Sequence, residues 1–252
     1  MRFARAAAFV VLLTALSPVC AFAQLVVLHS GGFAGPYREL LPAFEKSTGV
    51  TATSTLGASQ GDGPDTIPAL LRKGVAADVV ILSTEGLDAL AREGRILPGS
   101  EVTLAQSPLG LAVRAGTLRP DITSVDGFKQ AVLRATSVNY VSTTAVYMND
   151  TLLPSLGIAD SVARKANGDT MANLPKSNVD LVLRPVSELV NLPGFDLVGP
   201  VPAQIQFMSV FAAAVVSGSK HVDAARRLIA ALSSPDAMAV ARKHGMEPVT
   251  RR

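Results

Sequence analysis

The order of apolar runs constrains this chain most. Leu25 to Leu28 is apolar at every position, Tyr37, Leu40, Leu41 and Phe44 follow at helical spacing, Gly49 stops that pattern, and Val50 to Leu56 is rich in β-formers. A run without alternation suits a strand buried on both faces, whereas the i, i+3, i+4, i+7 spacing suits a helix resting one face on a core. The pattern then recurs, with a strand over Asp78–Leu82 and a helix over Glu85–Glu93 stopped by Gly94. Strands alternating with helices of this length imply βαβ units and a parallel sheet, and such sheets bind ligands at the carboxyl ends of their strands. The loops Ser30–Gly32 and Gly57–Gly63 fall at that edge.

A second α/β set begins near Ser107. It reads as a strand over Leu109–Arg114, a helix over about Val125–Ala135, a strand over Val138–Val141 and a helix from Ser142 to about Leu156 closed by Gly157. Further strands are expected over Val179–Leu183, Leu197–Val201 and Gln206–Ser217, with turn-like segments at Ser187-Glu188 and Asn191–Gly194. Helices over Val222–Leu232 and Pro235–Gly245 complete the chain. The expected fold is α/β in two lobes, residues 24–107 plus 207–252 and residues 108–206, joined by crossing segments near Gln106–Leu109 and Ala203–Phe207.

Residues 1–23 have the grammar of an export signal: Arg2 and Arg5, an apolar stretch from Ala6 to Leu16, and Ala21-Phe22-Ala23 before Gln24. The apolar stretch is shorter than the ~20 residues a membrane span needs. A periplasmic, soluble mature chain is therefore expected. Cys20 is the one cysteine and leaves with the leader, which excludes disulfides, thiolate metal sites and a thiol nucleophile. Of 23 basic and 20 acidic residues, removing Arg2 and Arg5 leaves 21 against 20, a net +1 without a basic stripe for nucleic acid.

Leu56 to Gly74 carries the most chemistry. Glycines at 57, 61 and 63 and the hydroxyl of Ser59 lead into a short helix capped by Asp65 or Thr66, with Pro68 in its first turn. A small-residue loop ending at a helix start presents bare N–H groups and suits an anion. Gly57-Ala58-Ser59-Gln60-Gly61 also matches G-x-S-x-G, so a periplasmic serine hydrolase using Ser59 is the alternative. That motif needs a helix directly after the serine, and here Gly61 to Pro64 intervene.

Ser142-Thr143-Thr144 is a second hydroxyl-bearing helix start, which simple N-capping would explain. Its place after a buried strand, mirroring Ser59, makes it a candidate for the same ligand. Arg184, directly after apolar Val182-Leu183, either faces a cleft and pairs with an oxyanion or lies on a solvated rim. His29, His221 and His244 lack metal-ligand spacing, and Asp62 and Asp65 lack the calcium-loop pattern, so neither a metal nor a cofactor is expected.

Taken in order, Val26–Gly32, Leu41-Pro42-Ala43-Phe44-Glu45-Lys46-Ser47-Thr48-Gly49-Val50, Gly57-Ala58-Ser59 and Arg72-Lys73-Gly74-Val75-Ala76-Ala77-Asp78-Val79-Val80-Ile81 resemble the periplasmic solute-binding proteins of ABC importers, in the class related to molybdate-binding proteins. The resemblance implies a type II periplasmic binding fold, not an enzyme, that closes two lobes on a small anion and hands it, as a monomer, to a membrane permease. Carried over, the ligand contacts are Ser30, Gly31 and Gly32, Ser59, and the helix start Thr143, Thr144 and Ala145. Arg184 stands where those proteins place a tyrosine, Gly32 where they have a serine, and an insertion follows Ser59. These departures turn the expectation from molybdate itself to a small anion, with a carboxylate favoured by Arg184.

Overall fold

The computed structural model describes residues 23–61 and 63–249. The expected leader thus lies, apart from Ala23, outside the described residues, as does Asp62. The first βαβ set opens with β1 (Gln24–His29), a 3-10 turn at Gly31–Phe33 and α1 (Ala34–Thr48). It continues with β2 (Thr51–Leu56), α2 (Ile67–Arg72), β3 (Val79–Ser83) and α3 (Thr84–Arg92). Gly49 ends α1 at φ 70°, the left-handed turn for which a glycine stop is suited. Thr66, not Asp65, caps α2, its Oγ1 accepting from the Ala69 N–H at 3.2 Å.

β4 (Val102–Arg114) is a single 13-residue strand. The sequence pattern predicts a strand only over Leu109–Arg114, and the structure extends it back to Val102 through Pro108, a residue that cannot donate to a ladder. The structure places that proline where β4 changes partners. Through Pro108 the strand pairs antiparallel with β9 (Met208–Val215), and from Leu109 onward it pairs with β7 (Leu181–Pro185) and β8 (Phe195–Pro200).

The second set contains α4 (Val125–Arg134), β5 (Val138–Asn139) and α5 (Ser142–Tyr147), which runs on through a π-type segment at Met148–Leu152 into α6 (Leu153–Ser155). Then come α7 (Ala159–Ala163), β6 (Ala166–Asn167), α8 (Val186–Leu189) in place of the expected turn, and the closing helices α9 (Val222–Leu232) and α10 (Pro235–Lys243).

The strand order is β2-β1-β3-β9-β4-β7-β5-β6, with β8 beside β4. The ladders β2-β1-β3 and β7-β5-β6 are parallel, while β4 and β9 run antiparallel to their neighbours. Apolar side chains gather accordingly. Leu25, Val27, Tyr37, Phe211 and Leu228 share one core, and Leu109, Phe128, Met148 and Leu183 share another. Gln206 ties the chain together where it passes between the two sets. Its Oε1 accepts from the Leu109 N–H at 2.7 Å, and its Nε2 donates to the carbonyls of Leu109 and Val201.

Candidate functional site

Five strand ends meet at one crevice, three from the first set and two from the second. Behind β1 lies Ser30, behind β2 the loop bearing Ser59, and β3 ends at Ser83. From the second set β5 leads to Ser142 and Thr143, and β7 carries Arg184. Ser83 is the meeting point. Its N–H donates to Ser59 Oγ at 3.0 Å, and its Oγ accepts from Thr143 Oγ1 at 3.0 Å. Gln60 closes the same seam, its N–H donating to Ser142 Oγ at 3.1 Å and its Nε2 to Thr143 Oγ1 at 3.0 Å.

The hydroxyls at the start of α5 therefore do not cap it. Val141 is its N-cap residue and supplies no side-chain bond. Ser142 and Thr143 instead reach across to the first set. Ser142 holds φ at +55°, a left-handed conformation that costs a non-glycine residue on the order of 1–3 kcal/mol, and strain of this kind gathers at functional sites.

Arg184 is 5% exposed and held on three sides. Nε and Nη2 donate to Asn139 Oδ1 at 3.1 and 2.9 Å, Nη2 also donates to the Asp169 carbonyl at 3.0 Å, and Nη1 donates to Glu188 Oε2 at 3.0 Å. Of the five guanidinium N–H groups this leaves one, on Nη1, without a partner among the described residues. The rim alternative is thereby excluded, since the guanidinium lines the crevice from a fixed position.

Two spaces adjoin it. A tight recess of about 30 Å³ is lined by Ser59, Thr143, Thr144, Arg184, Ser209 and Phe211, among others. It adjoins a cavity of about 270 Å³, whose lining includes Ser30, Gly31, Ser59, Arg184 and Glu188 on its polar side and Leu56, Met171 and Ala172 on its carbon side. Ser30 Oγ and Ser209 Oγ are buried and make no hydrogen bond among the described residues. A buried hydroxyl without a partner costs about 1–3 kcal/mol, which a ligand acceptor would recover.

The structure thus brings Ser30, Gly31, Ser59, Thr143, Thr144 and Arg184 together. It does not bring Gly32 or Ala145 to either space. A Cβ on Gly32 would lie 1.9 Å from Phe211 Cζ, so that glycine makes room for an aromatic ring. The Ala145 N–H is consumed within its own helix by the Val141 carbonyl at 3.3 Å, and the Ser30 N–H by the Ile81 carbonyl at 2.8 Å. Sequence reasoning missed Gln60, Ser83, Asn139, Glu188 and Ser209. Ser83 and Asn139 each close a strand, a signal that many polar residues share. Glu188 stands four residues after Arg184, the spacing of a helical ion pair, within a segment that reads as a turn.

Among the described residues, Ser59 has no catalytic base within hydrogen-bond reach. Among the described residues its Oγ bonds only the Ser83 N–H, while His29 Nδ1 meets the Ser30 carbonyl and His244 Nε2 meets Glu39. Nor do the described residues hold a cluster of three metal-ligating side chains, or a helix long and apolar enough to cross a membrane. His29 lies just behind Ser30, and burial lowers its imidazole pKa below the usual 6.5.

Residues 25–247 match the family model of the bacterial extracellular solute-binding proteins. The chain belongs to that family. Solute-binding proteins of the family are extracytoplasmic and bind small ligands. A curated relative, an aconitate isomerase from a Pseudomonas species, is 38% identical over 246 residues, covering 94% of each chain. Among solved structures, the periplasmic molybdate-binding protein of Azotobacter vinelandii superposes with a TM-score of 0.70 at 20% identity, over 90% of this chain and 100% of that one. The binding protein AgtB of A. tumefaciens R10, solved with agropinic acid, superposes at 0.65 with 16% identity, over 90% of this chain and 83% of the other. At these identities the structural likenesses establish the two-lobed type II periplasmic binding fold alone.

Proposed function

We propose that this solute-binding protein captures a small polycarboxylate, of the aconitate class, between lobes formed by residues 24–107 plus 207–252 and 108–206. It then delivers that anion to an ABC permease, acting as a periplasmic monomer. The observation that carries the reading is the Arg184 corner. A fixed guanidinium with one open N–H stands beside two buried, unpartnered hydroxyls, Ser30 Oγ and Ser209 Oγ. All three can donate, and ligand carboxylates accept several bonds at once. Ser59, whose oxygen already accepts from Ser83, keeps its proton for the same purpose.

The shape argues for an organic anion over a tetrahedral oxyanion. The polar recess opens into a longer space walled by Leu56, Met171 and Ala172, which a carbon skeleton fills and a bare oxyanion leaves as void. Glu188 on the same wall disfavours an ion of high charge density. The aconitate isomerase relative supports the choice of ligand class.

That relative also supports a second reading, in which the bound polycarboxylate is isomerised in the cleft. Glu188, a carboxylate in the cavity that Arg184 lines, favours it.

Thermal shift and calorimetry with trans-aconitate, cis-aconitate, tricarballylate, molybdate and sulfate test the proposal. A polycarboxylate at a hundred times its Kd is expected to add about 2.7 kcal/mol to the stability. Ser209→Ala should leave the unliganded fold at least as stable as before, since it removes a buried hydroxyl without a partner, and weaken that binding by about tenfold, the loss of one net hydrogen bond. Stabilisation by molybdate or sulfate and by none of the carboxylates would refute the ligand class.

A further inference from the structure

We infer that Glu188 is the proton carrier of an allylic proton shift on a bound unsaturated polycarboxylate. The inference rests on the isomerase reading and names its catalytic residue. Glu188 Oε2 accepts from Arg184 Nη1 at 3.0 Å, while Oε1 has no hydrogen-bond partner among the described residues. The side chain is 12% exposed and lines both the recess and the larger cavity. Gly31 permits this position, because a Cβ on residue 31 would lie 3.1 Å from Glu188 Cδ.

A purely binding site for an anion gains nothing from a second carboxylate aimed into it, since like charges repel in a buried cleft. The arrangement does suit proton transfer. A ligand carboxylate that takes the Arg184 Nη1 donors displaces Glu188 and leaves it, as a base, beside the ligand's carbon chain. In propene-1,2,3-tricarboxylate the methylene C–H bond breaks and its proton moves to the Glu188 carboxylate. The electron pair spreads over the three-carbon allylic unit and onto the attached carboxylates, which Arg184 and the donating hydroxyls stabilise. The proton then returns to the far carbon, the double bond shifts by one position, and Glu188 is ionised again. No oxidant, reductant or second substrate enters.

Incubation of the full mature chain with trans-aconitate in D2O, followed by NMR, reads conversion to the cis isomer and deuterium uptake. Tricarballylate, the saturated analogue, reads binding by calorimetry. Wild type is expected to show conversion and uptake. Glu188→Gln should lose them by about a hundredfold or more, the usual worth of a general base, while binding tricarballylate at least as tightly because a neighbouring negative charge is gone. Glu188→Asp should recover part of the rate.

Wild type that binds tricarballylate without conversion or uptake would end the isomerase reading, and this inference with it. Conversion by Glu188→Gln within a few fold of wild type would overturn the assignment of Glu188 alone. Glu188→Gln that binds no tricarballylate would make the residue a structural prop and also overturn it.

Discussion

Replacing Arg184 by Met isolates the interaction that organises the cleft. Met keeps the stem in its slot and deletes the guanidinium, so Glu188 becomes an unpaired carboxylate at 12% exposure, and Asn139 Oδ1 loses both guanidinium donors, while the Asp169 carbonyl keeps the Asn139 Nδ2 donor at 3.0 Å. Breaking a buried pair from one side costs about 3–5 kcal/mol, because the surviving charge stays desolvated without compensation. At about 2–4 °C per kcal/mol for a chain of this size, the melting temperature should fall by about 6–20 °C. Arg184→Met/Glu188→Met removes the stranded charge and should regain about 2 kcal/mol, the remainder being the orphaned Oδ1 of Asn139. Urea unfolding followed by circular dichroism measures all three proteins. An Arg184→Met variant within about 1 kcal/mol of wild type, or a double variant no more stable than Arg184→Met, would refute the reasoning.

Gly32→Ala drives a methyl group to 1.9 Å from Phe211 Cζ, in a core where that ring is 3% exposed and cannot swing away. The expected loss is about 1–3 kcal/mol, relieved in part by Phe211→Leu, and an unchanged urea midpoint would contradict it. His29 supplies a pH dependence. Burial, opposed by its bond to the Ser30 carbonyl, holds its folded pKa below 6.5, so on acidification the unfolded chain takes up the proton first. Stability is then full above pH 6.5 and declines as pH falls from there toward the folded pKa. His29→Phe, which keeps a ring against Tyr37 at the 5.0 Å centroid separation, should flatten that part of the curve of urea midpoint against pH.

Much of the fold is legible in local pattern. Unbroken apolar runs became the buried strands over Leu25–Leu28 and Val79–Leu82, Gly49 became the stop of α1, and the spacing around Leu228 gave α9 its span. These follow from interactions among near neighbours in the chain, which the sequence states directly. Pro108 and Glu188 mark the limit. The local pattern starts a strand only at Leu109, whereas β4 begins at Val102 and carries Pro108 where it exchanges one partner for another.

The site shows the same division. Ser59, Thr143 and Arg184 were legible as a hydroxyl on a glycine loop, a hydroxyl at a helix start and a cation at a strand end. What each of them does was decided by residues far away in sequence. Ser83 joins Ser59 to Thr143 across separations of 24 and 60 residues, Asn139 orients Arg184 from 45 residues away, and Phe211 claims the space above Gly32. The sequence by itself determined most of the strands and put Ser30, Ser59, Thr143 and Arg184 at or just behind their ends. Only the tertiary structure decided which of those groups are already satisfied and which face the cavity, because hydrogen-bond partners and excluded volume depend on neighbours in space.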